Sequence, residues 1–147
     1  MLGIIIATHG ALSDGLKNAG EVIMGETQRI ETINLVPGQA VDSVKDDITA
    51  AMNKLGIEQD ILILTDIAGA SPYNQSLLAI HELPEELASH VCILHGVNLP
   101  MLLSAMNQQI LGADLKAAAQ TIVQEAKESI GLFVEAVDED DEDDDDF

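Results

Sequence analysis

Four histidines occur in the chain, and one of them, His9, stands directly behind the apolar run Leu2 to Ala7, in the sequence Thr8-His9-Gly10. An imidazole is nucleophilic at whichever ring nitrogen lacks the proton. A carboxylate that accepts one ring N–H therefore fixes the tautomer and frees the other nitrogen. Asp66 is the candidate carboxylate, because it follows a second apolar run, Ile61-Leu62-Ile63-Leu64, at the same kind of strand-end address. Gly69, Ala70 and Ser71 come next and lead into Pro72. Ser71 suits a helix N-cap and Pro72 the first helical position. A helix starting there turns free backbone N–H groups and a positive dipole end toward the crevice, a ready site for a phosphoryl dianion. Taken singly, His9 reads as a structural or merely exposed histidine and Asp66 as a helix cap; their conjunction beside a helix start is what points to chemistry. Of the other histidines, His81 ends a helical stretch, His90 sits in a polar turn, and His95 alone shares the strand-end address.

These residues need elements to bring them together. Short apolar runs alternate with longer segments of helical period, the pattern of a parallel sheet covered on both faces. Strands are expected at Leu2 to Ala7, Arg29 to Leu35, Asp60 to Thr65 and Val91 to Leu94. Helical spacing links Leu12, Leu16, Ala19, Val22 and Ile23, with Ser13 and Asp14 placed to cap or charge the first turn. It also links Val41, Val44, Ile48, Met52 and Leu55, stopped by Gly56. Further helices are expected through Tyr73, Leu77, Leu78 and Ile80, from Met101 to Leu111, and from Asp114 to Ser129. The fold class is thus α/β, doubly wound, with a mainly parallel sheet of order 2-1-3-4. In that order the first and third strands are neighbours, so His9 and Asp66 can meet at their carboxyl ends. Gly131 to Val137 is β-prone and is expected to form a C-terminal strand, exchanged between the subunits of a homodimer.

Composition narrows the function. The 147 residues, 47% hydrophobic, suffice for one core, read as a single domain over residues 1–137. Asp138 to Asp146 is an unbroken acidic run closed by Phe147, expected to be a disordered tail over residues 138–147. Setting its nine acids apart from the total of −20 leaves a body of about −11. Six Lys and Arg cannot neutralise a nucleic-acid backbone, so nucleic acid is not an expected partner. The single cysteine, Cys92, reads as a core strand residue and allows no internal disulfide. Met1 to Ile6 lacks a basic leader, and no apolar stretch approaches the roughly 18 residues of a membrane span, so a cytoplasmic protein is expected.

Four motifs, Thr8-His9-Gly10, Val36-Pro37-Gly38, Thr65-Asp66 through Gly69-Ala70-Ser71-Pro72-Tyr73-Asn74, and Gly96-Val97-Asn98-Leu99-Pro100-Met101, resemble the enzyme IIA domain of the mannose-type sugar phosphotransferase system. The resemblance implies a homodimer, a phosphohistidine at His9 and an orienting aspartate at Asp66, with Gly69, Ala70 and Ser71 beside the phosphoryl group. It also implies the phosphocarrier HPr as donor, a IIB component on a separate chain as acceptor, and a membrane IIC/IID sugar permease served indirectly. Neither metal nor cofactor is needed. Family members often carry Gly-Gly-Ser where this chain has Gly69-Ala70-Ser71, so Ala70 would be strained if that position needed positive φ. A regulatory phosphorylation module and the phosphocarrier subunit of a dihydroxyacetone kinase are the alternatives. A histidine phosphatase would want an arginine where Thr8 stands, and the one arginine is Arg29.

Overall fold

The computed structural model describes residues 1–136. A parallel sheet of order β2-β1-β3-β4 is built from β1 (Gly3–His9), β2 (Ile30–Leu35), β3 (Ile61–Thr65) and β4 (Val91–Leu94). Both layers around it are helical: α1 (Leu12–Met24), α2 (Val41–Leu55), α3 (Ser71–His81), the short α4 (Glu85–Ala88), α5 (Leu99–Leu111) and α6 (Leu115–Glu128). Sheet order and fold class agree with the pattern of alternating runs.

The strand period of two sorts the core into two clusters. Ile4, Ile6, Leu62 and Leu64 pack on one face with Leu16 of α1, Leu102 of α5 and Ile122 of α6. On the other face Ile5, Ile61 and Ile63 pack with Val44, Ile48 and Met52 of α2 and Ala79 of α3. Burying each large aliphatic side chain contributes about 1.5–3 kcal/mol, so the two central strands, apolar on both faces, anchor the sheet. The edge strands β2 and β4 are only partly buried. Cys92 lies on β4 and is accordingly half-buried rather than a core residue.

Several local expectations are corrected. β1 runs two residues further than expected, so His9 is its last residue rather than part of the following loop, paired in register with Leu35. Arg29 lies before β2 because its φ of 57° is left-handed and incompatible with a strand. Helix α3 starts one residue early, with Ala70 at the N-cap, Ser71 first and Pro72 second. α5 begins at Leu99 because the Asn98 side chain accepts the Met101 N–H at 2.8 Å and caps it. Residues 131–136 join no strand in this chain: a strand needs a partner edge, and here they run exposed beyond α6. Val137 and the acidic run lie outside the described residues. Among the described residues no helix is long and apolar enough to cross a membrane.

Candidate functional site

Because β1 and β3 are hydrogen-bonded neighbours, their carboxyl ends deliver His9 and Asp66 to one spot. One carboxylate oxygen of Asp66, Oδ2, accepts both the His9 backbone N–H at 3.0 Å and the ring Nδ1–H at 2.8 Å. The other, Oδ1, accepts the Ile67 N–H at 2.9 Å. A carboxylate can only accept, so Nδ1 carries the ring proton and Nε2 of the neutral imidazole keeps its lone pair. The His9 side chain is 45% exposed and that of Asp66 12%, which leaves the ring within reach of a visitor and its partner sheltered.

Burial pushes the Asp66 carboxyl up. The hydrogen bonds from the His9 backbone N–H, the His9 ring and the Ile67 N–H outweigh it and hold the group below its ordinary value of 3.8. Asp66 is therefore a stable anion at neutral pH, able to accept two donors at once and to balance a positive ring.

The loop after Asp66 is shaped by Gly69, whose φ of 79° suits glycine and whose carbonyl accepts the Asn74 side-chain amide at 2.8 Å. Ala70 has φ of −85° and ψ of 175°, ordinary extended backbone, so the Gly-to-Ala difference carries no strain. No side chain caps α3, so the Ser71 hydroxyl is not engaged by the helix and the first N–H groups of α3 lack intrahelical partners. The β4–α5 connection is laced to the same loop: the Gly96 N–H donates to the Asp66 carbonyl and the Val97 N–H to the Thr65 carbonyl, both at 3.0 Å.

Of the remaining histidines, His81 ends α3 and is exposed. His90 pairs with Asp60 at 2.9 Å, at the opposite end of the sheet from His9. His95, exposed at the end of β4, packs edge-on against Tyr73 of α3 with ring centroids 5.9 Å apart. At the same sheet end as His9, exposed apolar side chains stand on the connections, Val36 and Ile67, and on the first residues of α1 and α2, Leu12 and Val41. Among the described residues no cluster of three or more His, Cys, Asp and Glu is placed to hold a metal ion.

Sequence reasoning missed the support on the far flank. Asp14 does stand in the first turn of α1, but neither it nor Ser13 caps the helix, whose N-cap is Ala11 without a side-chain bond. Ser13 is buried, and Asp14 reaches across to β2, where it accepts the Thr32 hydroxyl and the Asn34 amide, each at 2.6 Å. The available signal was the polar alternation Thr32, Asn34 on a strand flanked by apolar residues.

Residues 3–123 match the protein family described as "PTS system fructose IIA component". The PTS system mannose-specific EIIAB component of Escherichia coli is 29% identical over 105 residues, 71% of this chain. The chain spans only 31% of that relative's length. The PTS system sorbose-specific EIIA component of Lacticaseibacillus casei is 33% identical over 100 residues, 68% of each chain. Among solved structures, phosphotransferase system component EIIA from Streptococcus agalactiae superposes with a TM-score of 0.76 at 28% identity, covering 90% of this chain and 98% of its own.

Proposed function

The chain belongs to the mannose-type IIA family of sugar phosphotransferase components, and from that membership we propose that it carries a phosphoryl group on His9 Nε2, accepting it from phospho-HPr and passing it to a IIB component. The observation that carries this reading is the 2.8 Å contact between His9 Nδ1 and Asp66 Oδ2, which leaves Nε2 bare on an exposed ring. In the transfer the Nε2 lone pair attacks phosphorus while the bond from phosphorus to the donor's carrier atom breaks with its electron pair. The ring gains positive charge as the new N–P bond forms, and the Asp66 carboxylate offsets it without leaving Nδ1. Gly69, before the cap of α3, and Ser71, its first residue, receive the phosphoryl oxygens on backbone N–H groups and the Ser71 hydroxyl, with Ala70 between them, whose own N–H donates to the Ile67 carbonyl at 3.3 Å. The reverse steps hand the group to the acceptor.

Exposure of the nucleophile and of the apolar residues Leu12, Val36, Val41 and Ile67 at the same sheet end supports a protein as donor and acceptor rather than a small enclosed substrate. A homodimer is part of the same reading. The free edge of β4 borders a groove of about 340 Å³ lined by Ile93, Met101, Val123, Ala126 and Ile130. Leu132, Phe133 and Val134, exposed beyond α6, supply the apolar segment a second copy would lay there. The work is placed in the cytoplasm, feeding a membrane sugar permease indirectly.

Incubation with radiolabelled phospho-HPr, followed by a panel of IIB proteins, tests the transfer. An acid-labile, base-stable label on His9 that moves to a IIB protein is expected, and His9→Ala should take none. Label mapped to His81, His90 or His95 would overturn the assignment. Label that stays on His9 with every IIB protein would favour a regulatory module instead.

A further inference from the structure

Asp66 holds His9 from one side, and a run of hydrogen bonds grips the same strand end from the other. Thr8 and His9 are consecutive in β1, so their side chains project to opposite faces. Thr8 is fully buried, and its hydroxyl accepts the Ser13 N–H at 2.9 Å. The Ser13 hydroxyl in turn meets the Ile33 carbonyl at 3.2 Å and the side-chain oxygen of Asn34 at close range. Asn34 is the register partner of Thr8 across the β1–β2 pair, and Thr32, two residues earlier, lies on the same face. Both close on Asp14, whose two oxygens accept the Thr32 hydroxyl and the Asn34 amide. The donors also agree in direction: an ionised Asp14 can only accept, which turns the Asn34 nitrogen toward it and the Asn34 oxygen toward Ser13. The Thr32 and Asn34 hydrogen bonds, in that order, hold the Asp14 carboxyl below its ordinary value.

We infer that Asp14 is a positioning residue: through Asn34, Ser13 and Thr8 it clamps the first turn of α1 to the end of β2 and so fixes the roll of the β1 terminus that sets the His9 imidazole over Asp66. Rolling His9 away from Asp66 would carry Thr8 with it and break the Thr8–Ser13 bond. The rate consequence rests on the phosphocarrier reading above; the geometric one does not. Asp14 bonds to Thr32 and Asn34 and not to the imidazole, so its effect reaches the β1 terminus through the Asn34, Ser13 and Thr8 hydrogen bonds.

The test is a reciprocal exchange. Asp14→Asn removes the charge and one of the two acceptor oxygens, so only one of the Thr32 and Asn34 donors keeps its acceptor, whereas Asp14→Asn combined with Asn34→Asp sets an amide opposite a carboxylate again and leaves Ser13 a carboxylate oxygen to bond. A mere helix-dipole role for Asp14 would not be restored, because the exchange moves the charge off α1. Phosphorylation of His9 by phospho-HPr should slow about 10-fold in the single variant, a modest share of what an ångström of misplacement can cost, and return to within about 3-fold in the double variant. Nitrogen-15 spectra of the histidine rings give the second readout. The Nδ1–H signal of His9 should weaken in the single variant and recover in the double one. Parent-like rates and ring signals in Asp14→Asn, or a double variant as impaired as the single, would overturn the clamp. Should Asp14→Asn fail to fold, Thr32→Val removes one of its two donors and should give a smaller slowing with a weaker Nδ1–H signal; no change there would also overturn it. If the parent takes no phosphate from phospho-HPr, the proposed function fails, and the ring spectra still decide the clamp.

Discussion

Replacing Asp66 by Asn separates charge from shape at the site. In the parent, three N–H groups converge on the carboxylate: the His9 backbone and ring on Oδ2 and Ile67 on Oδ1. An amide has a single acceptor oxygen. If that oxygen stays with His9, the amide nitrogen faces the Ile67 N–H, and leaving that donor unpaired costs about 1–3 kcal/mol of stability. The fold should survive this, since β1 and β3 remain paired along their length. The transfer rate responds to a different quantity. A hydrogen bond to an ionised partner contributes about 1.5–3 kcal/mol and a neutral one about half that. The N–P bond puts positive charge on the ring, so the lost difference of about 0.8–1.5 kcal/mol falls on the transition state. At about 1.4 kcal/mol per decade this slows phosphorylation by roughly 3- to 12-fold. Removal of a dedicated oxyanion donor, which costs roughly 100- to 1,000-fold, marks the upper limit. Rapid-quench labelling with phospho-HPr measures it, with thermal melting to confirm folding. Equal rates for parent and variant, both folded, would refute the electrostatic role and reduce Asp66 to a backbone anchor.

Three further outcomes are expected. The Asp66 carboxyl is lowered below 3.8 in the folded chain, so its bonds stabilise the fold fully above about pH 5 and lose that contribution as pH falls through the lowered value; pH-dependent denaturation of parent and Asp66→Asn should differ above pH 5 and converge in stronger acid, whereas an unchanging gap would contradict the shift. Gly69→Ala forces a side chain onto φ of 79° and should cost about 1–2 kcal/mol by denaturant titration, while Ala70→Gly, acting at ordinary φ, should cost no more than about 1 kcal/mol; the reverse ranking would rule out a left-handed backbone at Gly69. Light scattering should find the chain dimeric and a version ending at Ser129 monomeric, and a monomeric parent or a fully dimeric truncation would count against strand exchange.

The larger architecture was legible because it follows from periodicity alone. Ile61 to Leu64 has no polar side, which only a strand covered on both faces tolerates, and all four are fully buried. Once the order 2-1-3-4 is accepted, the meeting of His9 with Asp66 follows from chain geometry without any knowledge of side-chain contacts. What escaped was the detail that depends on partners distant in sequence. Asp14 carries every local mark of a first-turn helix acid, yet its bonds run 18 and 20 residues onward to Thr32 and Asn34. Ser71 looks like an N-cap, but Ala70 takes that position and Ser71 is the first helical residue.

The same division explains the end of the chain. Leu132 and Phe133 are each 88% exposed, an arrangement that local propensity cannot foresee because propensity describes what a segment could pair with, not whether an edge is within reach. The groove beside β4 is lined by Ile93, Met101, Val123 and Ile130 among others. In the proposed homodimer the Leu132 to Val134 segment of a second copy would cover it, so that one contact buries both apolar surfaces. Asp14 and this segment have one thing in common: local sequence marks do not name the partner, which for Asp14 is Thr32 and Asn34 on β2 and for residues 132–134 would, in the proposed dimer, be a second copy.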